Sequence, residues 1–124
     1  MCLRRRKIEV VEPIAYGVCG TRSMLLTREE KDCRTVMEYL SARIMRGEKI
    51  PEQFLVGWSR FLARFIASGL YFPDFHCGNI LYNEEKSRFV LVDPQGLRRN
   101  VLNRSERILR MLKREFGMLF EFCP

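Results

Sequence analysis

The sequence predicts an α+β fold that is mainly helical after about residue 30. Three observations carry this reading. Two segments, 31–46 and 51–69, repeat apolar residues at helical spacing. Short apolar runs at 8–11, 24–27, 80–82 and 88–92 are separated by Gly, Pro or polar turns, as strands are. A third helical register occupies the last twenty or so residues, 103–122.

Taken in order, Ile8 to Val11 is a β-branched run punctuated by Pro13 and Gly17, and Met24 to Thr27 is a second short run. They are expected to pair as two strands. From Lys31 to Arg46, Val36, Leu40 and Ile44 recur at helical spacing, and Gly47 closes the segment. "PEQFLVGWSRFLARFIASG" is the clearest helix. Pro51 suits its first turn, and Gly69 ends it. Phe54, Leu55, Trp58, Phe61, Leu62, Phe65 and Ile66 form a wide apolar stripe, with Arg60 and Arg64 opposite. "NILY", the polar turn "NEEKS" and "RFVLVD" read as a hairpin. The final helix carries Ile108, Leu109, Leu112, Phe116, Leu119 and Phe120, interleaved with arginines and Lys113.

The bulk composition narrows the function classes. The chain has 124 residues, and 47% are apolar, enough for a packed core. Lys and Arg exceed Asp and Glu by 22 − 15 = +7, which favours anionic partners such as phosphate, nucleic acid or an anionic membrane surface. No recognised nucleic-acid motif is present, so a nucleic-acid module would rest on charge alone. The basic stretch from Arg98 to Arg114 reads as a solvated or membrane-facing helix surface. Cys2, Cys19, Cys33, Cys77 and Cys123 are odd in number with no CxxC pair, which predicts reduced thiols and a cytoplasmic setting. The N-terminus lacks the apolar region of a secretory signal, and no window approaches the roughly 18 apolar residues of a membrane span.

The chemistry concentrates in "FPDFHCGNILYNEEKSRFVLVDPQG", Phe72 to Gly96. It holds the sole histidine, His76, with Asp74, Asn79 and Asp93 around one apolar hairpin. Phosphoryl transfer needs this combination. One carboxylate orients or deprotonates the attacking hydroxyl, and oxygen ligands hold Mg²⁺ across the nucleotide phosphates. A hairpin between Asn79 and Asp93 would bring two such ligands together. Asp and Asn also favour turns, so Asp74 and Asn79 carry a turn-capping reading beside the chemical one. A thiol nucleophile at Cys77 activated by His76 is disfavoured, because neighbouring side chains on extended backbone point apart.

These residues resemble the protein-kinase-like fold. "PDFHCGNILYN" is similar to the H-G-D-L-H-P-G-N-I-L pattern of aminoglycoside, choline and lipopolysaccharide kinases. The helix ending "GLY", the D-x-H-x-G-N-I-L core, the "FVLVD" strand and the basic "GLRR" look most like the bacterial lipopolysaccharide (Kdo/heptose) kinase group. "EPIAYGV" and "SMLLTREE" resemble its last N-lobe strands and hinge. The resemblance runs from about Val11 to Arg114 and is specific only over Asp74 to Asp93.

The resemblance implies ATP and Mg²⁺ as cofactors and a sugar or lipid A-type acceptor. Asp74 would be the catalytic base, Asn79 and Asp93 the cofactor and metal ligands, and His76 a support of the loop. It divides the chain into a two-strand N-lobe remnant, 1–30, and a kinase-like C-lobe with a catalytic-loop hairpin, 31–124. This sequence departs from the pattern at Phe72 and Pro73, and in having "DPQG" where the family pattern is DFG. Neither a Gly-rich phosphate loop nor a strand bearing the phosphate-binding Lys precedes the first strand. The chain is therefore expected to be an incomplete kinase, with a catalytically inactive remnant or regulatory pseudokinase as the alternative.

Overall fold

In the computed structural model the described residues are 8–72, 75–92, 98–99, 106, 109–110 and 113–114. They form a small α+β domain. The elements run β1 (Pro13–Cys19), β2 (Arg22–Thr27), β3 (Arg34–Thr35), α1 (Val36–Met45), α2 (Glu52–Ala67), β4 (Leu70–Tyr71), β5 (Ile80–Asn83), β6 (Arg88–Leu91) and β7 (Arg98–Arg99). Three small antiparallel sheets have the orders β1-β2, β3-β5-β6 and β4-β7.

The first strand lies further along than the β-branched run suggested. Gly20, at φ 61°, turns β1 into β2 with Tyr16 opposite Leu25. The run 8–11 instead lies against β6. Val11 N donates to Leu91 O at 3.0 Å, and Leu91 N donates to Glu9 O at 2.9 Å. Val10 and Leu91 form a parallel bridge. Ile8 and Val11 are buried there, so β-branching at 8–11 serves the core. Every residue of β1 is exposed.

The first helix begins later than the predicted Lys31. Arg34 and Thr35 pair with Tyr82 and Leu81, and Thr35 then caps α1. Glu38 N donates to Thr35 Oγ1 at 3.1 Å, and Thr35 N donates to Glu38 Oε2 at 3.0 Å. This reciprocal capping box satisfies two otherwise orphaned donors. Pro51 is the N-cap of α2 rather than a first-turn residue.

The core is aromatic. Phe54, Trp58, Phe61 and Phe65 are the buried face of α2. They pack on Tyr39, Tyr82, Phe89 and Phe75 with ring centroids 4.6–6.5 Å apart. The stripe is narrower than predicted: Leu55 is exposed, and Leu62 and Ile66 are half-buried. Gly57 lets α2 approach the hairpin turn. A Cβ there would lie 3.1 Å from both Phe89 Cε2 and Ser87 Oγ.

Glu84–Ser87 is the turn of the β5–β6 hairpin. Asn83 Oδ1 accepts from Lys86 N at 3.0 Å, as Asn does in turns. Arg43 of α1 reaches this turn, with Nη2 2.7 Å from Glu84 Oε1. Arg88 holds two further segments. Its Nη2 donates to Glu30 at 2.8 Å, and its Nε lies 2.7 Å from Glu9 Oε2 as an ion pair outside hydrogen-bond alignment.

Glu106, Leu109, Arg110, Lys113 and Arg114 are helical, as the terminal periodicity predicts, and the rest of 103–122 lies outside the described residues. Leu109, placed by periodicity on the apolar stripe, is exposed. Arg98 and Arg99 are corrected from helix to strand, because their backbone pairs with Tyr71 and Leu70.

Candidate functional site

The loop from Phe72 to Asn79 is anchored by alternating burial. Phe72, Phe75 and Cys77 are buried, whereas His76, Gly78 and Asn79 are half-buried. The Phe75 ring sits 4.6 Å from that of Phe65 and 6.5 Å from that of Phe61, which locks the loop onto α2. Phe75 N donates to Phe72 O at 3.1 Å. The described residues flanking positions 73 and 74 are thus hydrogen-bonded to each other.

Cys77–Asn79 forms one turn of 3-10 helix with His76 as its N-cap. His76 Nδ1 accepts from Gly78 N at 3.0 Å. Asn79 N in turn donates to His76 O at 3.0 Å. His76 is therefore a structural support of this loop, the role its resemblance implied. The ring leaves no room for a side chain at Gly78, where a Cβ would lie 2.9 Å from His76 Cε1 and Nδ1.

Two backbone links tie this loop, and the residues just before it, to the chain that follows β6. Val92 N donates to Asn79 O at 2.8 Å. Leu70 and Tyr71, just before the loop, pair with Arg99 and Arg98. Asn79 is thereby brought to the residue that precedes Asp93 in sequence. Asp74 and Asp93 themselves lie outside the described residues. Asn79 is the one predicted cofactor and metal ligand that is described. Among the described residues, no three His, Cys, Asp or Glu side chains group closely enough to hold a metal ion.

Sequence reading missed two parts of this site. Phe75 and Cys77 are its anchors, and their alternation with His76 was the available signal. The β4–β7 pair left no comparable signal, because two-residue strands have no periodicity.

Cys19, Cys33 and, within the loop, Cys77 form no disulfide, and burial, followed by the charge of Glu30, raises the Cys33 thiol above its ordinary value. No helix among the described residues is long and apolar enough to cross a membrane. No protein-family model matches this sequence, and no curated protein matches it.

Proposed function

We propose that the chain is an ATP- and Mg²⁺-dependent phosphotransferase of the lipopolysaccharide or sugar kinase type, with a kinase-like C-lobe, acting on a sugar hydroxyl. The observation that carries this reading is the bond from Val92 N to Asn79 O at 2.8 Å. It joins the start of one motif segment, "NILY", to the end of the other, "FVLV", directly before Asp93. In this reading Asp74 orients or deprotonates the acceptor hydroxyl, and Asn79 and Asp93 supply oxygen ligands. Bound Mg²⁺ would neutralise charge on the nucleotide phosphates. His76 and Gly78 hold Asn79 in place through the 3-10 turn. The acceptor class is a sugar or a lipid A-type glycolipid. The protein is cytoplasmic in this reading, and Arg110, Lys113 and Arg114, which are exposed, would meet an anionic membrane surface.

The test is a thermal-shift titration with ATP and Mg²⁺ beside Asp93→Ala. A metal-dependent rise in Tm that the variant loses supports the reading. No rise in either protein counts against it. With an acceptor in hand, Asp74→Ala abolishes turnover while the fold persists; equal activity would remove the proposal.

A catalytically inactive kinase-like protein is the second reading. It is favoured by the β1–β2 sheet, which among the described residues has no third strand to present a phosphate-binding Lys. Measurable ATP turnover by the 124-residue chain excludes it.

A further inference from the structure

A cleft of about 540 Å³ lies between α2, the hairpin and the 8–9 segment, at the turn end of β6 rather than the Asn79 end. Its volume falls in the range of small-molecule sites, roughly 300–1,000 Å³. Phe61, Phe89 and Ile8 line it with apolar surface. The α2 wall is two adjacent rows of residues four apart, Gln53, Gly57 and Phe61 beside the charged row Glu52, Val56, Arg60 and Arg64. Residues four apart on a helix share one face.

Charge is distributed unevenly along this row. Glu52 sits in the first turn of α2, where the helix dipole suits an acid. Glu9 is paired with Arg88 at 2.7 Å. Arg60 and Arg64 are exposed, repel each other one turn apart, and have no ion-pair partner among the described residues. The other arginines touching the core surface, Arg43 and Arg88, are each held by carboxylates. An anion lodged between Arg60 and Arg64 would relieve their repulsion, and Val56, itself exposed, with Phe61 and Phe89 would cover an apolar body.

We propose that this cleft binds a small amphiphile whose head is a phosphate monoester or carboxylate, held by Arg60 and Arg64, with its apolar body along Val56, Phe61 and Phe89. The site is separate from the Asn79 loop and does not rest on the phosphotransferase reading. The protein carries its own reporter. Trp58, the sole tryptophan, has its ring 5.7 Å from Phe61 and 5.4 Å from Phe89.

The test is a Trp58 fluorescence titration of the full chain with decyl phosphate, decanoate, decyl maltoside and inorganic phosphate, each below its micelle concentration where it has one. A saturable, one-to-one response to decyl phosphate or decanoate is expected, and the tighter of the two names the head group. Decyl maltoside and inorganic phosphate should each bind at least tenfold more weakly. Arg60→Glu/Arg64→Glu should weaken binding at least tenfold, with an unchanged circular dichroism spectrum because both positions are exposed. Val56→Glu, an independent variant at another exposed position, should weaken it as well. Unchanged affinity in the double variant, equal binding of decyl maltoside or of inorganic phosphate alone, or no saturable response to either anionic amphiphile would overturn the proposal.

Discussion

His76 and Gly78 are a matched pair: the imidazole caps the turn only because position 78 has no Cβ. Gly78→Ala is expected to displace the ring and cost the cap hydrogen bond, about 0.5–1.5 kcal/mol. His76→Ala should cost at least as much, and the double variant little more than His76→Ala alone, since both substitutions remove the same cap hydrogen bond. Urea unfolding of the three proteins checks this, and strictly additive losses would refute the pairing. Two tyrosines make a separate, pH-dependent contribution. Burial raises the Tyr39 and Tyr82 phenols above their ordinary value, with Arg43 partly opposing it at Tyr39 and the Ser87 hydrogen bond at Tyr82. The fold thus holds these protons more tightly than the unfolded chain does. Their stabilisation is fully present below the unfolded pKa of about 10 and is lost as pH rises beyond it through the higher folded values. Alkaline titration of Tm should show the fall beginning near that pH. Tyr82→Phe should flatten it; an unchanged slope would mean the buried phenol is not responsible.

Among the elements, α2 and the β5–β6 hairpin form the rigid centre, and their aromatic face should dominate stability. Phe54 is fully buried and stacks with Tyr39 at 5.1 Å and meets Tyr82 edge-on at 5.1 Å. Phe54→Ala is expected to cost about 3–5 kcal/mol by guanidinium denaturation. Tyr16→Thr on exposed β1 should stay within about 0.5 kcal/mol. These two elements were also the most legible in sequence. The register Phe54, Trp58, Phe61, Phe65 repeats over about three turns, and the polar "NEEKS" separates two apolar runs of matching length. Legibility failed where a segment's partner is remote. The β-branching of Ile8 to Val11 marks a strand-like segment, but only Leu91, eighty residues on, decides what it pairs with. The start of α1 was readable in principle, since Thr35 and Glu38 have capping-box spacing, but helical spacing alone extends the register back to Lys31. At the candidate site, sequence marked Asn79 and His76, whereas tertiary packing revealed the anchors Phe75 and Cys77 and the link from Asn79 to Val92.

At the scale of the molecule, stability is unevenly shared between the core and the β1–β2 ribbon. The core joins α1, α2 and the hairpin through one continuous cluster that includes Ile8 and Leu91. The ribbon leaves it after Val11 and returns at Arg28. Arg28 N donates to Glu12 O at 2.8 Å, and Arg28 Nε lies 2.7 Å from Glu12 Oε2. Both side chains of that ion pair are more than half exposed, so it contributes little. Ile14, Tyr16, Val18, Met24 and Leu26 are 51–68% exposed on the ribbon. A two-stranded ribbon with so little burial is marginally stable by itself. The ribbon should therefore open without the core. In native-state hydrogen exchange, the amides of Tyr16, Val18 and Met24 are expected to exchange through a local opening that responds weakly to denaturant. Those of Tyr82, Phe89 and Val90 should exchange only with global unfolding, with the full denaturant dependence. Breaking the clasp with Glu12→Ala should leave the slow class unchanged and at most hasten the fast one. If the ribbon amides instead share the exchange free energy of Tyr82 and Phe89, the ribbon and core unfold as one unit, and the division drawn from their burial is wrong.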